Sequence, residues 1–215
     1  MYLSRIRLDT GKRNTVIALS NPQRFHGALE SAFMGERKRN LWRVDNLGDE
    51  LYLLILSQDR PELYDVVKQF GYDGELFETK AYEPLLDKIV NGSRWQFKLT
   101  ANPTKRIKKG NGDVPRGKVK ALISVDQQEQ WLSDHADAYG FELKPGDFRV
   151  TRNHTYTFKK QGKRRVSIFS VTFDGILTVV DSEKFLSALT SGIGRGKAYG
   201  NGLLTVVRTK EQRDV

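Results

Sequence analysis

Apolar residues recur at two different spacings along the first 90 positions, and this pattern predicts alternating strands and helices. Strand-like alternation or short apolar runs occupy residues 2–8, 41–44, 51–56 and 75–82. A helix is predicted to begin at Asn21-Pro22, because Asn caps helices and Pro suits their first turn. A second helix covers 63–70 and stops before Gly71. The order β-α-β-β-α-β is that of a ferredoxin-like unit.

A second round of elements follows residues 87–93, so we divide the chain into domains 1–88 and 93–215 with a linker at 89–92. Strands are predicted at 95–101, 148–158, 165–173, 175–180 and 203–207. Helices are predicted at 125–139 and after the capping pair Asp181-Ser182, and a polar, basic loop at 102–120. The second half is therefore a variant of the first unit with one extra hairpin.

Composition narrows the classes of function. The chain has 36 basic and 26 acidic residues, a net charge of +10 that suits a nucleic acid or an anionic membrane as partner. No apolar run approaches the roughly 18 residues of a membrane span, and the N-terminus lacks a signal-peptide block. The absence of cysteine excludes disulfides, thiolate zinc sites and a cysteine nucleophile. We expect a cytoplasmic protein with no membrane partner, metal or cofactor.

A glycine-rich loop near the C-terminus holds five glycines in eleven residues, with two cations between them. Glycine lets backbone N–H groups approach a phosphate; the alternative is an ordinary turn between a helix and a strand. A P-loop is excluded because Ala198 follows Lys197, and a Rossmann fingerprint is excluded because the loop leaves a helix. A polynucleotide backbone is the favoured ligand. The candidate residues are Gly192, Gly194, Arg195, Lys197, Gly200 and Gly202.

Two further segments in the second half are strongly basic. Seven cations and one acid lie between Lys105 and Lys120, and five cations flank a predicted hairpin tip at Gln161-Gly162. Such runs are commonly only solvated, but a basic β-ribbon can also enter a nucleic-acid groove. No RNP-like aromatic signature is present, which favours recognition of shape and backbone over base stacking. The candidate RNA contacts are Lys105, Arg106, Lys108, Lys109, Lys159, Lys160, Lys163, Arg164 and Arg165.

The chain has three histidines, and His26 is the candidate for proton transfer. It falls in the first turn of its predicted helix, about 100° from the apolar Phe25, and should look outward. An ordinary surface histidine is the alternative. His135 lies on a solvated helix face, whereas His154 shares a strand face with Arg152 and Tyr156 and could contact RNA.

Longer blocks of the sequence resemble a known family. The loop 192–202 resembles the G-h-G-x5-G-h-G loop of CRISPR repeat-processing ribonucleases. It consists of Gly192-Ile193-Gly194, five residues that include two cations, and Gly200-Asn201-Gly202. Together with blocks at 1–4, 41–45, 97–105 and 173–181, the loop resembles the CasE family, the endoribonuclease subunit of the subtype I-E Cascade complex. The resemblance implies an α+β fold of two tandem ferredoxin-like (RRM-like) domains with antiparallel sheets.

The resemblance also implies a function. A CasE protein binds the stem-loop of a CRISPR repeat transcript, cuts once at the 3′ base of the stem, and stays on the mature guide RNA with other Cascade subunits. The catalytic histidine corresponds to His26 and the groove-entering hairpin to 159–165. Some relatives carry tyrosine where this chain has Gln23. A non-catalytic RNA-binding assembly protein is the alternative.

The implied cleavage needs no metal. The ribose 2′-OH attacks the adjacent phosphorus and the 5′-oxygen leaves, giving a 2′,3′-cyclic or 3′-phosphate and a 5′-OH. His26 would act as general acid or general base, and cations such as Lys160 or Arg164 would stabilise the charge of the transition state.

Overall fold

A computed structural model describes residues 1–33, 40–107, 118–159 and 165–209 of the 215-residue chain. These residues form two α+β units with antiparallel sheets, so the predicted fold class is confirmed. The proposed domain limits stay a prediction. Ile89, placed in the linker, packs in the second core together with Leu85 and Leu86. No helix among the described residues is long and apolar enough to span a membrane.

The first unit is a four-stranded antiparallel sheet in the order β2-β3-β1-β4, with helices packed on one face. Its elements are β1 (Tyr2–Arg7), α1 (Arg13–Ser20), α2 (Gln23–Ala32), β2 (Leu41–Leu47), β3 (Glu50–Ser57), α3 (Tyr64–Phe70), β4 (Glu78–Ala81) and α4 (Glu83–Leu86). Phe25 of α2 lies at the centre of the core, its ring 5.6 Å from that of Trp42 and 4.8 Å from that of Phe70.

Helix α1 occupies 13–20, where the spacing of apolar residues predicts a loop before the helix that begins at Asn21-Pro22. Its apolar residues form one run, 16–19, instead of recurring at helical spacing, so no stripe was visible. The helix buries Thr15 and Ala18, and the Thr15 hydroxyl donates a hydrogen bond to the Phe70 carbonyl at 2.9 Å. A small residue and a satisfied hydroxyl thus replace the large apolar side chains that a pattern search requires.

The second unit is a five-stranded antiparallel sheet in which β11, β5, β10 and β8 follow one another and β9 pairs with β10. Its elements are β5 (Arg94–Ala101), β6 (Thr104–Ile107), β7 (Lys118–Ala121), α5 (Val125–Ala136), β8 (Phe141–Glu142), β9 (Phe148–Lys159), β10 (Arg165–Val179), α6 (Ser182–Ser191) and β11 (Leu204–Arg208), with 3₁₀ turns at Asp137–Tyr139 and Lys197–Tyr199. Helices α5 and α6 cover the apolar face of this sheet.

Two predictions for this half need correction. The predicted strands 165–173 and 175–180 form one continuous strand, β10. Its pairing with β9 continues across a register shift after Thr172. Gly175 stays within the strand because, without a Cβ, it leaves room for the backbone of Asp147 and Phe148. The segment 102–120, predicted as a loop, contains the antiparallel pair β6 and β7. Residues 108–117 lie outside the described ranges.

A buried arginine of the first unit, paired with a carboxylate on its own strand, joins the two units. Arg43 of β2 is 2% exposed and binds Asp45 through Nε at 2.9 Å and one terminal nitrogen at 2.6 Å. The same side chain donates to the Lys98 and Leu203 carbonyls at 2.9 and 2.6 Å and to the Thr205 hydroxyl at 2.7 Å. All five guanidinium N–H groups therefore have acceptors, three of them in the second unit.

Arg43→Met should lower the free energy of unfolding by about 3–5 kcal/mol, because Asp45 is then left buried without its partner. The matched control is Arg5→Met, which breaks the exposed Arg5–Glu78 pair on the same sheet and should cost less than about 1 kcal/mol. Urea denaturation monitored by tryptophan fluorescence measures both. Equal losses would mean that the buried pair does not stabilise the interface.

Candidate functional site

His26 lies in the first turn of α2, which begins just after Asn21-Pro22 as predicted. Phe25 enters the core, and His26, one position later, leaves the apolar stripe. Its side chain is nevertheless only 24% exposed, so the expected outward orientation is met only in part. Its Nδ1 is 4.0 Å from the Glu30 carboxylate one turn along the helix. The imidazole is thus partly covered and has an acidic neighbour on its own helix.

Gln23 occupies the position where some relatives were expected to have tyrosine. Its Oε1 is buried without a hydrogen-bond partner among the described residues. The side chain lines a groove with Arg24 and Gly27 of the same helix. In this chain the amide of Gln23 therefore takes the place of the tyrosine hydroxyl expected in those relatives, and it lies in a groove along α2.

The glycine-rich loop (residues 192–202) packs directly against strand β2 of the first unit. A Cβ on Gly192 would lie 2.8 Å from the Leu41 side chain, and one on Gly200 would lie 2.8 Å from the Trp42 ring. Both glycines have positive φ, +75° and +79°. The glycines are thus required by a left-handed backbone and by the close approach of the two units.

Most amide groups of this loop are already hydrogen-bonded within the protein. Gly192 N donates to the Ala188 carbonyl at 2.9 Å, Gly202 N to the Thr100 carbonyl at 2.6 Å, and Gly200 N to a carbonyl in its own turn. Gly194 N donates to the Tyr139 hydroxyl at 3.3 Å. Packing therefore explains these glycines, and the exposed Arg195 and half-buried Lys197 are the loop's candidate groups for binding an anion.

Tyr199 connects the loop to both halves of the site. It ends the 3₁₀ turn that packs against α2, the helix carrying His26. Its ring lies 5.3 Å from that of Phe158, which is buried near the end of β9. Lys159 follows Phe158 and pairs with Arg165 across the hairpin. The fold thus joins the histidine helix to the base of the basic hairpin; Lys160, Lys163 and Arg164 lie outside the described residues.

The other basic segment is built elsewhere on the second unit. Lys105 and Arg106 are exposed on β6, and Lys105 shares a groove with Asp126 and His135 of α5. Lys108 and Lys109 fall outside the part of the chain that the structure describes. This ribbon adjoins α5, whereas α2, the helix that carries His26, contacts the 3₁₀ turn of the glycine-rich loop, and that turn contacts β9.

The polar face of β9 lines a cavity, of which the sequence predicts only the shared face of three residues. Arg152, His154 and Tyr156 follow period two and line, with Ser170 of β10, a cavity of about 490 Å³ between the units. Partial burial lowers the pKa of His154, and the positive charge of Arg152 lowers it further. Burial also raises the pKa of Tyr156. The period-two spacing of Arg152, His154 and Tyr156 shows in the sequence that they share a strand face, but the sequence does not show that this face lines a cavity.

The remaining histidine has a structural contact. His135 stacks on Trp131 at 4.7 Å, and its Nδ1 lies 2.7 Å from the Trp131 carbonyl. Within the described ranges, no three His, Cys, Asp or Glu residues are placed to hold a metal ion.

Comparison with known proteins gives consistent matches across the chain. A model of a family described as CRISPR associated protein matches residues 1–208. The CRISPR-associated endoribonuclease Cse3 of Thermus thermophilus is 31% identical over 96% of this chain and 99% of that protein. The CRISPR system Cascade subunit CasE of Escherichia coli is 30% identical over 51% of this chain and 56% of that protein. A structure of the CRISPR endoribonuclease Cse3 bound to a 19-nucleotide RNA has a TM-score of 0.80 at 27% identity, covering 96% of this chain and all of that one.

Gly200→Ala should destabilise the protein by about 2–4 kcal/mol, since its Cβ would strain the backbone and also strike the Trp42 ring. Gly48→Ala is the matched control: Gly48 also has positive φ but nothing lies within 4 Å of its Cβ position. That variant should show only the backbone cost of about 1–2 kcal/mol. Urea denaturation measures the difference, and equal losses would show that the loop can move away from β2 without cost.

Proposed function

The chain belongs to the CasE (Cse3) family of CRISPR-associated proteins, and we propose that it cleaves the CRISPR repeat transcript once, at the 3′ base of its stem-loop. The observation that carries this proposal is the 3₁₀ turn Lys197–Tyr199, which packs against α2 and whose Tyr199 ring lies against Phe158, because this turn connects the helix of His26 with the strand that leads to the basic hairpin. The relative Cse3 is an endoribonuclease by name, and its structure holds a 19-nucleotide RNA. This chain is accordingly an endoribonuclease that acts on repeat RNA.

The reaction is transfer of a phosphoryl group within the RNA itself. The 2′-oxygen at the cut forms a bond to phosphorus as the bond to the 5′-oxygen breaks. One proton leaves the 2′-OH and one reaches the departing 5′-oxygen, so the products are a 2′,3′-cyclic phosphate and a free 5′-OH. His26, partly covered and on a helix held by the core through Phe25, supplies one of these proton transfers.

Negative charge grows on the phosphoryl oxygens as the 2′-oxygen attacks. A cation fixed in a partly dry site stabilises that charge more strongly than one in bulk water. Lys197 is half-buried in the turn that packs against α2, and it is the described cation that we assign to this role. Lys160 and Arg164, outside the described residues, remain candidates from the sequence.

The stem is gripped through its phosphates. Lys159 and Arg165 face each other across the hairpin, and Arg195 is exposed on the glycine-rich loop, so cations approach the site from two directions. The second basic ribbon, with Lys105 and Arg106, extends this charge along the second unit. Contacts of this kind persist after cleavage, which fits an enzyme that keeps its guide RNA as a Cascade subunit, the role named for the CasE relative. We place this activity in the cytoplasm, because a chain without cysteine has no disulfides and so needs no oxidising compartment to form them.

His26→Ala should reduce the single-turnover cleavage rate by at least about 100-fold, the usual contribution of a proton-transferring residue. Affinity for the repeat stem-loop should stay within about twofold, because the grip lies on the second unit. A denaturing gel and a filter-binding titration with the protein's own repeat RNA measure the two quantities. His135→Gln, which alters the histidine that stacks on Trp131, is the control and should cut normally.

The same assay separates the enzyme from a purely RNA-binding protein. A single 2′-deoxy sugar at the cut should stop cleavage without loss of binding, and EDTA should leave the rate unchanged. Wild-type cleavage by the His26→Ala variant, or a requirement for divalent metal, would refute the mechanism.

Lys159→Ala combined with Arg165→Ala should weaken RNA binding and flatten its dependence on salt, by about 0.7–0.9 in the log–log slope for each lost phosphate contact. Arg149→Ala is the control, since Arg149 is exposed on the same strand but at its opposite end. Filter binding between about 50 and 200 mM salt, where phosphate contacts make the affinity strongly salt-dependent, gives the slopes. An unchanged slope in the double variant would place the RNA away from this hairpin.

A further inference from the structure

The cavity between the two units has the size and lining of a ligand site. Its volume of about 490 Å³ falls in the usual range for small-molecule pockets. One wall is the polar face of β9 and β10, and the opposite wall is formed by β2 and the helices α1 and α2. The site described above does not use this cavity, although the two are neighbours.

Two buried polar atoms in its walls have no hydrogen-bond partner among the described residues. They are Nε1 of Trp42, which is 3% exposed, and Oγ of Ser170, which is 6% exposed. Both side chains line the cavity. Because native proteins rarely leave a buried donor unpaired, these atoms point to a guest that carries hydrogen-bonding groups. An indole N–H only donates, so the guest must offer an acceptor to Trp42.

The β9 wall is aromatic and carries a cation at one end. The rings of His154 and Tyr156 lie 4.3 Å apart in an edge-to-face arrangement, and Tyr199 contributes a third ring from the glycine-rich loop. Arg152 stands beside them on the same face of the strand. Flat rings next to a guanidinium match a planar base that is joined to a phosphate.

The cavity also adjoins the helix that carries the candidate catalytic residue. Pro22 and Phe25 line it, and the backbone N–H of His26 donates to the Pro22 carbonyl at 3.1 Å. An RNA strand with its scissile phosphate at His26 therefore has its adjoining nucleotides within reach of the cavity.

We propose that this cavity receives one unpaired base of the repeat RNA beside the stem, with the base against His154 and Tyr156, its edge at Trp42 and Ser170, and its phosphate on Arg152. The proposal rests on the proposed function, since it takes RNA as the ligand. A captured base would hold the strand in register at the cut, and it would add base recognition to an interface that otherwise reads the phosphate backbone.

An abasic scan tests this proposal. The protein's own repeat stem-loop, made uncleavable by a 2′-deoxy sugar at the cut, is prepared with a single abasic site at each unpaired position flanking the stem. Filter binding should show one position at which the wild-type affinity falls by about tenfold, as expected for the loss of one stacked base. In Tyr156→Ala the intact RNA should bind about tenfold more weakly, and the abasic site at that position should cause no further loss.

Two variants serve as controls. Thr157→Ala alters the next residue of β9, whose side chain points to the other face, and should retain the position-specific loss. Ser170→Ala removes one hydroxyl with little change in packing and should reduce the loss without abolishing it. This second cavity variant also guards against misfolding of Tyr156→Ala.

The outcomes separate this proposal from the proposed function. Normal binding of the intact RNA with no position-specific loss, or with the same loss in both cavity variants, overturns the base pocket alone. If the intact RNA neither binds nor is cut by the wild-type protein, the proposed function fails and the pocket fails with it.

Discussion

The relative placement of the two units depends on one side chain, Arg43. A buried guanidinium is tolerable only if its charge is neutralised and its donors are satisfied. Asp45 meets the first condition, and acceptors on β5 and β11 complete the second. Because the guanidinium group is planar and rigid, these hydrogen bonds constrain the orientation of the second unit relative to the first as well as the distance between them. Apolar contacts around Leu41 and Leu203 alone would tolerate sliding of the two surfaces.

That placement determines what the glycine-rich loop can do. The loop lies against Leu41 and Trp42, which immediately precede Arg43 on β2, and its turn then reaches both α2 and β9. Glycines that a motif search attributes to phosphate binding are used here to let two backbones approach. The functional groups of the loop are then its side chains, held over the junction by the packing beneath them.

The arrangement divides the work between the units. The first unit supplies His26 on a helix whose position follows from the Phe25 core, and the second supplies most of the basic surface. In the proposed mechanism the RNA grip and the chemistry lie on different units, so separate mutations should affect them. Between them lies a cavity to which each unit contributes one wall, so its shape exists only when the interface is formed.

The sequence by itself determined the strands and helices with clear periodicity, the start of α2, the two strands that flank the basic hairpin and the family, because these follow from local spacing or contiguous motifs. It could not show α1, which buries Thr15 in place of an apolar stripe, or the continuity of β10, which depends on a bulge. The partner of Arg43 in the other unit, the packing role of Gly200 and the unpaired Trp42 and Ser170 in one cavity were decided only by the tertiary structure. Each of these depends on residues far apart in the chain, and no local pattern encodes that proximity.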